Sequence, residues 1–247
     1  MDARADSAAP TPALVRAVAV GVAGLFGIYV WGDLLLTGLS AVDVAPGPVL
    51  EQALGAVAGG LGTASVAYLY LRWSGRGLGF VDVGVPGRRD VAVGVAGVVV
   101  LFAVLGLLEV ALGAFGVQTT QHAIAERANG NPAILLALVP LSWLLVGPGE
   151  ELLYRNVVQK SLYGPFSRRT AVLLASAVFA VVHVPAYYRP GASTVSFGVT
   201  ILVVCLLSVV LGVVYDRTRN VAVSAAVHGT YDAVQFALLY ATLTGLV

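Results

Sequence analysis

Ala133–Val158 reads AILLALVPLSWLLVGPGEELLYRNVV, a run apolar and long enough to cross a bilayer. It nevertheless holds two adjacent carboxylates, Glu150 and Glu151, followed by Arg155. Charge inside a bilayer span is costly, so such residues usually face a polar cavity and act there. Two of the three histidines, His183 and His228, lie inside other apolar runs. Two acids and two imidazoles in apolar surroundings point to a hydrolytic site within the membrane.

The composition agrees with a membrane setting. Of 247 residues, 58% are hydrophobic and 11% charged, against about 25% charged in soluble domains. The mean hydropathy is +0.90. A net charge of +1 gives no electrostatic footprint for nucleic acid, which is not expected as a partner. One cysteine, Cys205, excludes an internal disulfide and a cysteine-based zinc site, and its apolar run makes it a packing residue.

Seven apolar runs reach spanning length: Ala13–Leu36, Val49–Leu71, Val91–Phe115, Ala133–Val158, Thr170–Ala186, Phe197–Tyr215 and Val221–Leu246. The expected fold is therefore all-α, a polytopic transmembrane helical bundle of about seven spans. A break near Gly229 would make eight. The whole chain, 1–247, reads as one integral membrane domain, and the first run as an uncleaved span. Basic residues orient the bundle. Arg4, Arg16, Arg72, Arg76, Arg88, Arg89, Lys160, Arg168, Arg169, Arg217 and Arg219 fall on one side, and only Arg127 and Arg189 on the other. The positive-inside rule then predicts a cytoplasmic N-terminus and an external C-terminus, in a multi-pass protein of the cell membrane.

Helix arithmetic places the polar residues at similar depth. At 1.5 Å per residue, Glu150 lies about 15 Å from Lys160, His183 about 20 Å from Thr170, His228 about 12 Å from Asn220 and Asp232 about 18 Å. Four groups on three spans converge near the middle of a hydrocarbon core about 30 Å thick. Glu151 and Arg155 share a face at i,i+4, which reads as an ion pair. Glu150 is turned about 100° away and is free for other work. His228 and Asp232 share a face, and Phe179 sits one turn before His183 as a packing wall. Pro148 frees a backbone carbonyl ahead of the acid pair. His122, in the polar segment Gln118–Asn131, reads as a solvated loop residue. The same acids would also suit a proton relay in a proton-coupled transporter, and either histidine alone would suit an interhelical hydrogen bond.

Three motifs carry a family resemblance. EELLYR (Glu150–Arg155) resembles the EExxxR motif of the CPBP intramembrane proteases, which include the CAAX prenyl endopeptidases related to Rce1 and the bacteriocin-immunity, or Abi, proteins. FAVVH (Phe179–His183) resembles the family's FxxxH motif, and HGTYD (His228–Asp232) its HxxxN or HxxxD motif. The order and intervals agree over about Leu135 to Phe236. Residues 132–247 therefore resemble a CPBP catalytic core, and 1–131 supply spans of unassigned role.

The resemblance implies an intramembrane endopeptidase acting on a membrane-associated peptide or protein. CAAX cleavage, and with it a lipid-modified substrate, is implied by the family name alone. Glu150 would be the general base, His183 would hold the water, and His228 with Asp232 would stabilise the oxyanion. Glu151, Arg155 and Phe179 would support the site. Asp232 departs from the Asn of many members: it either carries a proton or orients His228. The family is named for metalloproteases, and Glu150, His183 and His228 would be the zinc ligands. With no HExxH helix and no spare base, the metal-free reading is preferred, no cofactor is expected, and zinc stays the alternative. The non-enzymatic alternative is a membrane immunity or scaffold factor that keeps the motifs.

Overall fold

The computed structural model describes residues 9–247, so Arg4 lies outside the described residues. The described residues form nine helices. They are α1 (Pro10–Ser40), α2 (Pro48–Trp73), α3 (Arg88–Ala114), α4 (Ala123–Gly130), α5 (Ala133–Gln159), α6 (Arg168–Val182), α7 (Val184–Tyr187), α8 (Thr194–Thr218) and α9 (Val221–Leu243). Five of them, α1, α2, α3, α5 and α8, are long and apolar enough to cross a membrane. The fifth and seventh apolar runs are also helical but fall short by this measure. α6 has 15 residues. α9 is diluted by His228, Thr230, Asp232 and Gln235. It runs unbroken through Gly229, so the alternative of a break there has no counterpart.

The exterior is apolar. Along α3, Val95, Val99, Leu107 and Val110 are 61–75% exposed, the reverse of a soluble helix and what lipid contact requires. Inside, one apolar cluster joins α1 and α2 to α5 and α6 through residues such as Ala17, Tyr70, Leu153 and Phe179. A second joins α3, α8 and α9 through Leu101, Leu211 and Val227. α5 and α9 meet along the seam between them.

α5 is shaped by its prolines. Pro140 and Pro148 each lack an N–H and crowd the carbonyl four residues earlier. The helix widens into π-helical turns at Ser142–Val146, just before Pro148, and again at Leu152–Gln159. Such turns favour functional sites. At Gly147 and Gly229, α5 and α9 approach to backbone contact. A Cβ on Gly229 would lie 2.8 Å from the Ser142 carbonyl oxygen, and one on Gly147 would lie 2.7 Å from that of Ala225. Only glycine permits this crossing, and it sets Glu150 and Glu151 beside His228.

Polar clasps gather the loops at each end. At one end Asp82 accepts from Lys160 Nζ (2.6 Å) and from the Tyr215 hydroxyl (2.7 Å), and pairs with Arg219 (2.8 Å). Its backbone N–H donates to Asn156 Oδ1 (2.8 Å), and its carbonyl accepts from the Val221 N–H (2.7 Å). Arg168 pairs with Asp216 nearby at 2.7 Å. At the other end Arg189 pairs with Glu126 (2.7 Å), Arg127 donates to Gln52 (3.4 Å), and the Thr120 N–H donates to Thr200 Oγ1 (2.8 Å). Loops 74–87, 160–167 and 219–220 therefore share one end. Segment 118–131 shares the other with the start of α2 and residues 188–200.

Asp82 makes stability sensitive to acid. Burial alone would raise its carboxyl, but hydrogen bonds from Lys160 and Tyr215 and the charges of Arg219 and Lys160 outweigh it, holding the group below the ordinary 3.8. A depressed carboxyl stabilises the fold above its unfolded-state value and loses that contribution as pH falls through the folded value. The melting temperature should therefore fall from about pH 4 downward in the native chain. Asp82→Asn should melt lower at neutral pH and lose this acid limb. Parallel melting curves for the two proteins across that range would overturn the assignment.

Candidate functional site

α5, α6 and α9 bring the motif residues around one cavity of about 690 Å³. Glu150 sits two residues after Pro148, near the end of the short α-helical segment between the two π turns. Its Oε2 is buried with no hydrogen-bond partner among the described residues. That oxygen lies 3.9 Å from His183 Nε2 and 4.0 Å from His228 Nε2. The convergence expected from depth is thus present in space.

Each imidazole is held by its other nitrogen. His183 caps α6, and its Nδ1 donates to the Phe179 carbonyl at 2.7 Å. A carbonyl only accepts, so in the neutral ring Nε2 turns a lone pair toward Glu150. The Phe179 ring lies against His183 (centroids 4.2 Å apart) and is reached edge-on by Tyr154 (5.2 Å). The packing wall expected of Phe179 is present. His228 Nδ1 donates to Glu151 Oε1 at 3.1 Å. Its Nε2 faces the cavity, 3.5 Å from Asp232 Oδ2, beyond the usual N–H···O range.

Glu151 and Arg155 form the expected i,i+4 pair, Nε to Oε2 at 3.2 Å, with both side chains 0% exposed. The guanidinium also lies 4.9 Å from the centre of the Phe179 ring, a cation–π contact. Sequence reasoning missed the second bond of Glu151. One carboxylate oxygen neutralises Arg155 and the other orients His228. The i,i+4 rule reads along a helix and cannot see a partner 77 residues on. The orienting carboxylate of His228 is thus Glu151, while Asp232 flanks the nitrogen that faces the cavity.

His122 is a correction. It is half-buried and lines the same cavity, not a solvated loop. Its Nδ1 caps α4 by accepting the Ile124 N–H (3.1 Å), and its ring meets Tyr187 edge-on (4.9 Å). Burial, followed by the proximity of His183 and Arg189, lowers it to about 4, so the ring stays neutral near pH 7. The accepting Nδ1 leaves Nε2 as the protonated nitrogen. All three histidines of the chain therefore line one cavity. Elsewhere the wall is mainly apolar, from Leu25, Ile28, Val204 and Leu207 among others.

The named zinc set stands wider here than a bound ion requires. Ligands about 2.0–2.1 Å from a tetrahedral zinc stand about 3.3 Å apart, closer than the 3.9 and 4.0 Å from Glu150 to the two histidines. Among the described residues no group of three or more His, Cys, Asp or Glu is arranged to hold a metal ion.

Removing the charge on Glu151 would strand Arg155, and breaking a buried pair costs about 3–5 kcal/mol. Glu151→Gln should therefore lower the melting temperature sharply. Adding Arg155→Met should recover part of the loss, since no charge is then left unpaired. Thermal melts of both proteins decide it: a double variant no more stable than the single one refutes the pairing.

Residues 132–234 match the family model described as Type II CAAX prenyl endopeptidase Rce1-like. The match covers less than half of the chain but includes every motif residue from Glu150 to Asp232. No curated protein and no solved structure matches the chain. The segment carrying the site is thus similar to an intramembrane protease family, on an all-α membrane fold.

Proposed function

We propose that the chain is an intramembrane endopeptidase in which Glu150 activates water. The observation that carries this reading is the buried Glu150 Oε2, without a hydrogen-bond partner, set 3.9 Å from the lone-pair nitrogen of His183. Two hydrogen bonds of about 2.8 Å from one water, roughly at right angles, span such a gap. The carboxylate and the imidazole each accept one of its protons, and the oxygen lone pairs remain free to attack.

The step balances on these side chains. Glu150 takes a proton from the water as the oxygen bonds to the scissile carbonyl carbon. His228, when Nε2 also carries a proton, donates to the oxyanion while Glu151 fixes the ring from behind. Glu150 then passes its proton to the amide nitrogen, the C–N bond breaks, and a carboxylic acid and an amine leave. Asp232 flanks Nε2 at 3.5 Å. Glu151, Arg155 and Phe179 act through position.

The cavity also suggests the side of entry. It is lined by Gln52, His122, Tyr187 and Gln235, and by no residue of loops 74–87, 160–167 or 219–220. It extends away from the basic loops, which the positive-inside rule assigns to the cytoplasm. The substrate is then a membrane-associated peptide with its scissile bond toward the external half of the bilayer, and the protein is a multi-pass protein of the cell membrane. A mainly apolar wall suits a hydrophobic segment or an attached lipid.

Glu150→Gln keeps the volume and removes the base. Membrane-protein termini compared between cells carrying the native chain and this variant should show new termini only with the native chain, mapping to the external half of substrate spans. Identical sets of termini at equal protein levels would overturn the proposal, and cytoplasmic-side cuts would overturn the side of entry.

The same reading holds without a metal. Purified protein should keep its cleavage activity after exhaustive dialysis against a chelator. Loss of activity restored by stoichiometric zinc would recast Glu150, His183 and His228 as ligands.

A further inference from the structure

A second cavity, of about 100 Å³, lies at the end of the bundle that gathers the basic loops. Arg16 of α1, Tyr70 of α2, Arg76 and Phe80 of the following loop, and Lys160 and Ser161 after α5 line it. Three cations from three separate segments therefore converge on one small concave site.

Among the described residues their charge is not balanced. Lys160 pairs with Asp82, but that carboxylate also serves Arg219. Neither Arg16 nor Arg76 forms an ion pair among the described residues. Arg76 is positioned nonetheless. It donates to the Tyr70 hydroxyl (3.4 Å), and its guanidinium lies 4.7 Å from the centre of the Phe80 ring. Lys160 Nζ stands 4.2 Å from the same ring centre. One aromatic ring thus holds two like charges close together. Arginine forks suit tetrahedral oxyanions, and a lysine adds a point charge.

The surroundings say where the anion comes from. Val15, Trp73 and Leu78 are 63–73% exposed on the same three stretches of chain as Arg16, Tyr70 and Arg76. Trp73 packs beside Tyr70, with ring centroids 6.2 Å apart. Tryptophan favours the headgroup level of a bilayer, and exposed aliphatic residues beside it favour acyl chains. Basic pockets between spans on the cytoplasmic side bind anionic headgroups.

We infer that Arg16, Arg76 and Lys160 form a binding site for the phosphate of an anionic phospholipid in the cytoplasmic leaflet. The site shares no lining residue with the cavity around Glu150, His183 and His228 and does not depend on the proposed protease activity. It pins α1, α2 and the end of α5 to one headgroup, so lipid occupancy tightens the apolar cluster those helices share.

The test uses purified full-length protein in a neutral detergent, titrated with dioctanoyl phosphatidylglycerol, dioctanoyl phosphatidylcholine or inorganic phosphate while melting is followed. Phosphatidylglycerol should raise the melting temperature saturably, and phosphatidylcholine should not. Arg16→Gln with Arg76→Gln should weaken the apparent affinity at least tenfold. The exposed Arg76→Gln alone, which leaves the fold intact, should weaken it about threefold. Arg88→Gln with Arg89→Gln, outside the cavity, should leave it unchanged. A saturable effect of inorganic phosphate, lost in the first double variant and not exceeded by lipid, would assign the site to a free anion and overturn the lipid source. Equal stabilisation by phosphatidylcholine, or equal loss in the Arg88/Arg89 variant, would overturn the site itself.

Discussion

Glu151 is the group on which the site depends. It is fully buried, and each of its carboxylate oxygens serves a different helix. One neutralises Arg155 on its own helix, and the other fixes His228 on α9. In a low-dielectric interior a lone carboxylate would be costly, as would a lone guanidinium, and together they are tolerable only with good geometry. Here the geometry comes from the backbone. The glycine crossing of α5 and α9 brings the His228 ring within 3.1 Å of Glu151, and the Phe179 ring covers the guanidinium. Shared counter-charge and close packing thus act as one constraint. It leaves Glu150, one residue earlier, without a competing bond and turned into the cavity.

Much of this was legible in the chain. Apolar runs located every long helix because lipid contact demands nearly uniform apolarity, which is easier to read than amphipathic patterning. Helical phase separated Glu150 from Glu151, and rise per residue put the acids and imidazoles at one level. Two things stayed hidden for physical reasons. The bond from Glu151 to His228 depends on how closely two helices pack, and only the coordinates reveal that Gly147 and Gly229 face each other. The place of His122 depends on segment 118–131 folding back over the cavity. Arg189, Arg127 and Thr120 hold it there through partners scattered along the sequence. A polar segment between spans gives no local sign of such folding.

The two ends of the bundle are built differently. The basic end is a tight network in which one carboxylate, Asp82, joins the loop after α2 to the ends of α5 and α8. The other end is closed by a few separate contacts from Thr120 and from a short helix, α4. Local opening takes the path with fewer buried contacts and more exposed hydrogen bonds. That places motion at the end where the cavity reaches furthest, and rigidity where the helices carrying the acids and histidines begin or end.

α6 has one more consequence. Its 15 residues make a rod of about 22 Å, short of a hydrocarbon layer of about 30 Å. His183 closes that rod, and the chain turns polar a few residues later at Tyr187, Tyr188 and Arg189. A bilayer accommodates so short a helix by thinning beside it or by letting flanking polar residues reach toward the headgroups. Hydrolysis needs water as a reactant at a depth where lipid would exclude it. Under the proposed hydrolysis, the shortness of this helix would supply the route, so that the length of one element would set the supply of a substrate.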